Sequence, residues 1–544
     1  MLYVMPFLVA MIVTIAWLPV FGKFATKWGI LDAPGHRKVH TTPIPRIGGV
    51  AMAIGVLIAA IIVVPLGPRD HYFMMGAGLV ALCGLLDDRF DLDYRIKALG
   101  QVIAAAIVVV GGDIQIHALT LDERILLPPW ISVPLSMLFI VGITNAINLA
   151  DGLDGLAGGT TFLSLCALAI LAYGAGEPSC AALALAFAGA VLGFLRFNTF
   201  PASIFMGDAG SQLLGFAVGV LSLRATQGGN GDIGIATPIL LLALPILDTL
   251  SVMIQRISEG RSPFSADKNH IHHKLLAFGF DHHEAVMVIY TVQAGLFLLA
   301  YWLRFESDLT ILGAIAVFFV GSITLLQVAT RRQWRFRSAQ ASRRESALTR
   351  LVTVLRQPHH LPRWSYLAIS AGVGSYAALV AFQNLHVSGD VRWLLTGMLA
   401  IVLAWLAWLR TQPLSTVEKA VLYITATILV YLDHTRNDAG SLLNEAVWGS
   451  VLLMAAGTLL RMRLASDRRF ALSPLDLIVL FVALVVPSLP NSLGLPDGGA
   501  LGIAKLVVLF YAIEALLNRA ESHVLWVRVA ASMLLTGLVA RVTL

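Results

Sequence analysis

Long apolar blocks separated by short polar stretches dominate the chain. A membrane-crossing helix needs roughly 20 mostly apolar residues. Eleven blocks of about that length precede residue 330, at 3–22, 47–65, 72–86, 97–112, 131–148, 156–173, 180–196, 211–224, 235–256, 284–303 and 309–329. Several are short and glycine-rich, which suits close helix packing. About seven more follow, at 365–385, 391–410, 418–432, 444–460, 473–488, 499–517 and 523–541. The pattern predicts an all-α, polytopic transmembrane bundle. It divides into a unit over 1–330, an Arg-rich linker over 331–364 containing Pro358 and Pro362, and a C-terminal membrane unit over 365–544. No internal repeat relates the two halves.

Composition supports this picture. The 544 residues are 58% hydrophobic and 13% charged, about half the charge of a soluble domain. Such a chain cannot cover a globule with polar surface. The loops alternate in charge. Lys23, Lys27, Arg37, Lys38 and Arg46 form one basic set, continued by Arg89, Arg95 and Lys97, then by Arg256, Arg261, Lys268 and Lys274. The intervening loops carry only Arg69, Arg124, Arg224 and Arg304. The positive-inside rule makes the first set cytoplasmic and the N-terminus external. Leu2–Phe21 reads as a first span, because it lacks the basic start and the small-residue cleavage site of a signal peptide. Cys83, Cys166 and Cys180 lie in or beside apolar runs and suggest neither a disulfide framework nor a metal site. The net charge of +6 gives no sign of nucleic-acid binding.

Five polar clusters all fall in loops assigned to the cytoplasm. Asp87-Asp88-Arg89-Phe90-Asp91 ends the third span. Adjacent carboxylates repel unless a cation sits among them, and Mg²⁺ is the natural one near phosphates; a solvated helix end would look the same. Asn145, Asn148, Asp151 and Asp154 recur at every third position and run into Gly155-Leu156-Ala157-Gly158-Gly159. On helical turns they share a face, and packing does not explain two amides and two acids there. Asn198 precedes Phe205-Met206-Gly207-Asp208-Ala209-Gly210-Ser211, where Asp208 or Ser211 could simply cap a helix. Asp267-Lys268-Asn269-His270-Ile271-His272-His273-Lys274 reads as a cationic, hydrogen-bonding patch for a pyrophosphate or a sugar. Zinc is its rival, without supporting spacing. His282 and His283 read as solvated. Last, His36-Arg37-Lys38-Val39-His40 with Pro43-Ile44-Pro45-Arg46-Ile47-Gly48-Gly49 reads either as a membrane-edge anchor or as a holder of lipid phosphate.

In this order the clusters resemble the polyprenyl-phosphate N-acetylhexosamine-1-phosphate transferase superfamily (glycosyltransferase family 4), over about residues 1–330. His270-Ile271-His272-His273, Arg37-Lys38-Val39-His40 and Pro43-Ile44-Pro45 look most like the bacterial undecaprenyl-phosphate GlcNAc-1-phosphate branch. The resemblance implies transfer of GlcNAc-1-phosphate, or a related sugar phosphate, from a UDP-sugar donor to undecaprenyl phosphate in the bacterial inner membrane, releasing UMP and starting a lipid-linked surface glycan. It implies Mg²⁺, with Mn²⁺ as a substitute, on Asp208 and Asn148. Asp87 and Asp88 match the essential acidic pair, and Asp151, Asp154, His272 and His273 join them as catalytic positions. Asn198, Phe205 and Asp154 match positions that hold the uridine, and Asn145 and His270 are further substrate-binding positions. Lys38 and Lys97 would hold the lipid phosphate. Partners are then the two substrates and membrane lipid, with room for a homodimer or other glycan-assembly proteins.

The implied chemistry is phosphoryl transfer, dominated by charge neutralisation and positioning. A phosphate monoester is largely ionised at neutral pH, its second pKa being about 6. Direct attack is therefore expected, ahead of base help from Asp87 or a covalent intermediate. Rival readings are a UDP-MurNAc-pentapeptide transferase and a non-catalytic transporter or lipid-carrier binding protein. A transporter would place its acids at the bilayer midplane, where only Asp248, near Pro245, fits.

Overall fold

The computed structural model describes residues 3–32, 43–121, 123–228, 233–262, 269–336, 361–381, 395–400, 402–404, 416–434, 441–464, 473–488, 499–517 and 524–543. The protein is an all-α, multi-pass membrane bundle. It forms two compact units, one built mainly from Met1–Ser342 and the other mainly from the chain beyond it.

The first unit contains α1 (Val4–Trp28), α2 (Gly48–Val63), α3 (Pro68–Phe90), α4 (Tyr94–Ala106), α5 (Pro129–Ala150), α6 (Leu156–Gly174) and α7 (Pro178–Asn198). It continues with α8 (Gly207–Gln227), α9 (Ala236–Leu241), α10 (Ala243–Ser258), α11 (Ile271–Ala277), α12 (His282–Leu303) and α13 (Asp308–Arg331). Each of the eleven apolar blocks falls on a helix. Among the described residues of the whole chain, nine helices have the length and apolarity to cross a membrane. Block 235–256 is broken at Leu242 into α9 and α10, and α4 ends in a π-helical turn, Ile107–Gly111. Two features carry no apolar-block signal. Strand Leu31–Asp32 pairs with Ile44–Pro45, and an antiparallel hairpin joins Ala118–Thr120 to Arg124–Leu126.

The core sits around α8. Every residue from Ala209 to Thr226 on it is buried, including the polar Ser211, Gln212, Ser222, Arg224 and Thr226. It packs on α2, α3, α5, α6 and α7. Small residues permit the approach. A side chain at Gly84 would overlap the Ala209 backbone, one at Gly49 the Gly210 backbone, and one at Gly215 the Thr144 backbone. Such contacts are the usual means of packing helices in lipid, where no hydrophobic force draws them together.

Helices α3 and α8 run antiparallel and are pinned at both ends. At one end Arg224 pairs with Asp70, and its other nitrogen bonds Glu177 at 2.9 Å and Ser179 at 3.0 Å. At the other, the Asp88 carboxylate meets the start of α8. The 21 residues of α8 span about 30 Å, close to the hydrocarbon thickness of a bilayer. The two polar contacts therefore mark opposite faces.

In the C-terminal half the blocks at 365–385, 418–432, 444–460, 473–488, 499–517 and 523–541 fall on helices Leu361–Ala381, Thr416–His434, Ser441–Leu464, Pro474–Ser488, Gly499–Leu517 and Val524–Thr543. Most of the block at 391–410 and of the Arg-rich segment 331–364 lies outside the described residues. Buried ion pairs join Glu418 to Arg528 at 2.5 Å and Asp433 to Lys505 at 2.6 Å. Glu418, Arg528 and Asp433 are buried within this unit, and Lys505 nearly so.

Replacing Arg224 with alanine leaves Asp70, 1% exposed, without its cation. Breaking a buried pair in this way costs about 3–5 kcal/mol. Thermal unfolding in detergent should show a clearly lowered midpoint, and an unchanged midpoint would refute the pinning role.

Candidate active site

The acids, amides and histidines singled out in the sequence gather at one end of the first unit. Asp88 occupies a position that no local pattern reveals. Its Oδ1 accepts the Asp208 amide at 2.8 Å and its Oδ2 the Ala209 amide at 3.0 Å. The residue before α8, Met206, offers no side-chain cap of its own. Asp88 thus caps α8 from another helix, meeting both its orphan N–H groups and its positive end. Gly207 makes room for it. With φ +68° it adopts a backbone that favours glycine, and a Cβ there would lie 2.4 Å from an Asp88 oxygen.

The start of α2 closes on the same place. Gly48 and Gly49 donate to the Phe205 and Met206 carbonyls, each at 2.9 Å, while Phe205 N–H donates to Pro45 at 2.8 Å. Phe205 is held through this backbone and forms a parallel bridge with Arg46. Arg46 pairs with Asp32, and its charge acts on Asp88, Asp151 and Asp208. It is a site cation, although in the sequence nothing sets it apart from the other members of a basic loop. Lys38 and its neighbours lie outside the described residues.

Asp87 and Asp208 face one another with Lys97 against both. The ammonium is 2.5 Å from Asp87 Oδ2 and 3.6 Å from Asp208 Oδ2. Asp87 Oδ1 accepts the Leu92 amide at 2.8 Å. Asn148 donates to Asp208 Oδ1 at 2.8 Å and to Ser211 at 2.7 Å. Asp87 and Asp88 lie just past the apolar part of α3, and Asp208 lies ahead of that of α8. Burial, then contact with Asp208, raises the Asp87 pKa. Burial would raise Asp208 too, but hydrogen bonds with Asp87 and Asn148 and the charges of Lys97 and Arg46 hold it below the usual carboxylate range. Burial pushes Asp88 up to about 7, against its two backbone bonds. Asp151 has an accessible side chain in a crowded cleft. Desolvation by the surrounding loops, then the charges of Asp208 and Asp154, raise its pKa.

Among the described residues no three His, Cys, Asp or Glu side chains stand as a ready-made metal cluster. The Asp87, Asp208 and Asn148 set offers hard oxygen donors, and a third of the Asp208 side chain stays accessible. Mg²⁺ typically takes one or two protein carboxylates and completes its shell with water and substrate phosphates. The donor set fits that habit and does not suit zinc.

Other predicted residues support the loops. Asn198, 4% exposed, accepts the Gly155 amide at 2.9 Å and donates to the Ile204 carbonyl at 3.0 Å. Asp154 accepts the Ala202 amide at 2.9 Å. Asn145 turns inward, donating to Gln101 at 2.7 Å, and Gln101 donates to Gln212 at 3.2 Å. This buried chain of amides underlies the site. Tyr290 on α12 donates to the Gly155 carbonyl at 2.6 Å, and any side chain at Gly159 would strike its ring. His282 and His283, expected to be solvated, instead pack on Phe200, with centroids at 4.4 and 4.9 Å.

The His segment closes over the acid loop. A Cβ at Gly152 would lie 2.4 Å from the His272 ring. His272 stacks near His273 and His270, at 4.2 and 5.7 Å. Burial, then the charge of His273, pushes the His272 pKa down to about 4. It is therefore a neutral hydrogen-bonding group rather than part of a cationic patch. His270 contacts Asp248 at 2.9 Å, so the acid read from the sequence as lying within a span is engaged with this segment.

Outside this cluster, Leu82, Leu86 and Phe90 on α3 and Ile96, Leu99 and Ile103 on α4 are exposed. Asp87 and Lys97 lie at the loop end of this flank, between Leu86 and Phe90 on α3 and between Ile96 and Leu99 on α4.

A model of glycosyl transferase family 4 matches residues 71–226, which include the acid pair, the acid loop and Asp208 but not the His segment. The chain is 39% identical over 294 residues to the probable undecaprenyl-phosphate N-acetylglucosaminyl 1-phosphate transferase of Bacillus subtilis (strain 168), covering 53% of this chain and 81% of that protein. It is 32% identical over 324 residues to the undecaprenyl-phosphate alpha-N-acetylglucosaminyl 1-phosphate transferase of Escherichia coli (strain K12), covering 58% and 87%. The decaprenyl-phosphate N-acetylglucosaminephosphotransferase of Mycolicibacterium smegmatis is 36% identical over 298 residues, covering 49% and 73%.

Gly207→Ala should displace Asp88 and uncap α8. The expected cost is about 1–3 kcal/mol, from backbone strain and the crowded carboxylate. A drop in the thermal midpoint is the readout, and a midpoint equal to wild type would contradict the cap.

Proposed function

Because the chain belongs to glycosyl transferase family 4, we propose that it transfers GlcNAc-1-phosphate from UDP-GlcNAc to undecaprenyl phosphate. The observation that carries this reading is the meeting of Asp87, Lys97, Asn148 and Asp208 at the head of the apolar flank of α3 and α4. Such a place suits a phosphate whose tail stays in lipid. The product would begin a lipid-linked cell-surface glycan.

An oxygen of the lipid phosphate attacks the β-phosphorus of the donor. A new P–O bond forms, the bond to the bridging oxygen breaks, and that electron pair leaves with UMP. The attacking oxygen is already ionised, so no proton needs to be removed. Lys97 offsets the charge of the lipid phosphate and keeps Asp87 ionised beside it. Arg46, whose charge acts on Asp88, Asp151 and Asp208, would meet the pyrophosphate. Asp151 and Asp154, held by the bracket of Asn198 and Tyr290, line the donor loop, and His272 covers it as a neutral hydrogen-bonding group. Mg²⁺ or Mn²⁺ held by Asp208 and Asn148 would neutralise the pyrophosphate; preorganised charge of this kind usually contributes most of the rate enhancement in such sites.

The charge alternation supports a site open to the cytoplasm of a bacterial inner membrane. A single cysteine at Arg89→Cys should resist an impermeant thiol reagent added to intact cells and react after permeabilisation. Labelling from outside would reverse the orientation.

Radiolabel transfer tests the reaction, with membranes given undecaprenyl phosphate and a panel of UDP-sugars. UDP-GlcNAc should be the best donor, and a better rate with UDP-MurNAc-pentapeptide would refute the assignment. EDTA should abolish transfer and added Mg²⁺ restore it. Asp208→Asn should lower turnover at least about 100-fold in folded protein, the scale on which one electrostatic group matters in such sites. Full activity in EDTA would remove the metal from the reading.

A further inference from the structure

We propose that Asp248 is a positioning residue for this transfer, acting through His270. The proposal rests on the reading of the function above. Asp248 lies within α10, 22 residues before the histidine it holds, and is 6% exposed. Each of its oxygens takes one donor from the His segment: Oδ1 accepts the Ile271 amide at 2.7 Å, and Oδ2 contacts His270 Nδ1 at 2.9 Å. A carboxylate accepts but does not donate, so the proton of that bond belongs to Nδ1. Asp248 thereby selects the His270 tautomer and turns Nε2 away from α10. In the same contact it fixes the first turn of α11, the helix that carries His272 against Gly152.

Stability alone would not call for an acid here. A buried polar pair is commonly replaceable by apolar residues of similar size at little cost. The segment seats His272 against Gly152, and Asp248 holds its first turn. Helix α11 has only 7 residues, too short to persist by itself. Beneath it, a cavity of about 30 Å³ bordered by Ala150, Leu156, Thr160 and Asp248 separates it from the ends of α5 and α6. Where apolar packing is incomplete, two hydrogen bonds decide where the imidazoles point. A displacement of about 1 Å at a reacting group can cost on the order of 100-fold in rate.

The test is a double-mutant cycle on the full chain in lipid nanodiscs, with activity normalised to folded protein. Asp248→Asn is nearly isosteric. Its one carbonyl oxygen cannot serve both donors, so kcat should fall about 10- to 100-fold while KM for undecaprenyl phosphate stays within about twofold. His270→Ala should show a similar fall. In the His270→Ala background, Asp248→Asn should then cost less than about twofold more, because residues acting through one another are not additive. Asp248→Asn at wild-type kcat, or a cycle in which the two losses multiply, overturns the proposal. A loss confined to the thermal midpoint, with kcat per folded molecule unchanged, overturns it as well. Wild-type transfer is measured first across the donor panel, so a wrong donor appears in the wild type and the cycle proceeds with the donor that is used.

Discussion

The bond from Asp88 to the first amides of α8 is the contact on which the rest of the site depends. A buried helix start presents several N–H groups with no intrahelical partner, and leaving them bare at the edge of a bilayer is costly. The residues just before α8 supply no side chain for the purpose, so α3 supplies it. That single cap sets the depth of α8 against α3. It places Asp208 beside Asp87 and forces the glycine at 207, and the closeness it demands continues in the contact of Gly49 with Gly210. The acid pair of the sequence therefore divides its labour. Asp88 belongs to the architecture, and Asp87 faces Lys97 and Asp208.

Charge is arranged around that frame with little excess. Lys97 and Arg46 stand near the carboxylates, and burial raises the pKa values of Asp87 and Asp88 while hydrogen bonds and the two cations hold that of Asp208 low. Two anionic substrates need a site that does not repel them. Here the start of α8 and the two cations offset the negative charge of the acids. His272 contributes shape, and its burial against Gly152 favours its neutral form.

Much of this was legible in the sequence, because apolar blocks, loop charges and dense polar motifs are local signals. Every apolar block of the first half landed on a helix, and the motif acids met at one end. What was not legible depends on partners distant in the chain. The Asp88 cap spans 120 residues and the Asn198 bond to Gly155 spans 43. His282 and His283 read as solvated because nothing nearby announces that Phe200 will fold onto them. The break at Leu242 and the pairing of Ala118–Thr120 with Arg124–Leu126 were hidden for a different reason: hydropathy records how apolar a stretch is, not whether its backbone stays helical.

The exposed apolar flank of α3 and α4 has a kinetic consequence. Its side chains face the acyl chains, and at its head stand Asp87 and Lys97, so a lipid phosphate that comes from this side never leaves the membrane to be captured. Its search is two-dimensional. Encounter frequency then follows the mole fraction of carrier in the leaflet and the fluidity of the surrounding lipid, and the water volume of the cell does not enter. On the proposed reading the nucleotide sugar arrives by three-dimensional diffusion through water. The two substrates are thus limited by different reservoirs, and diluting the carrier with inert lipid slows only one of them.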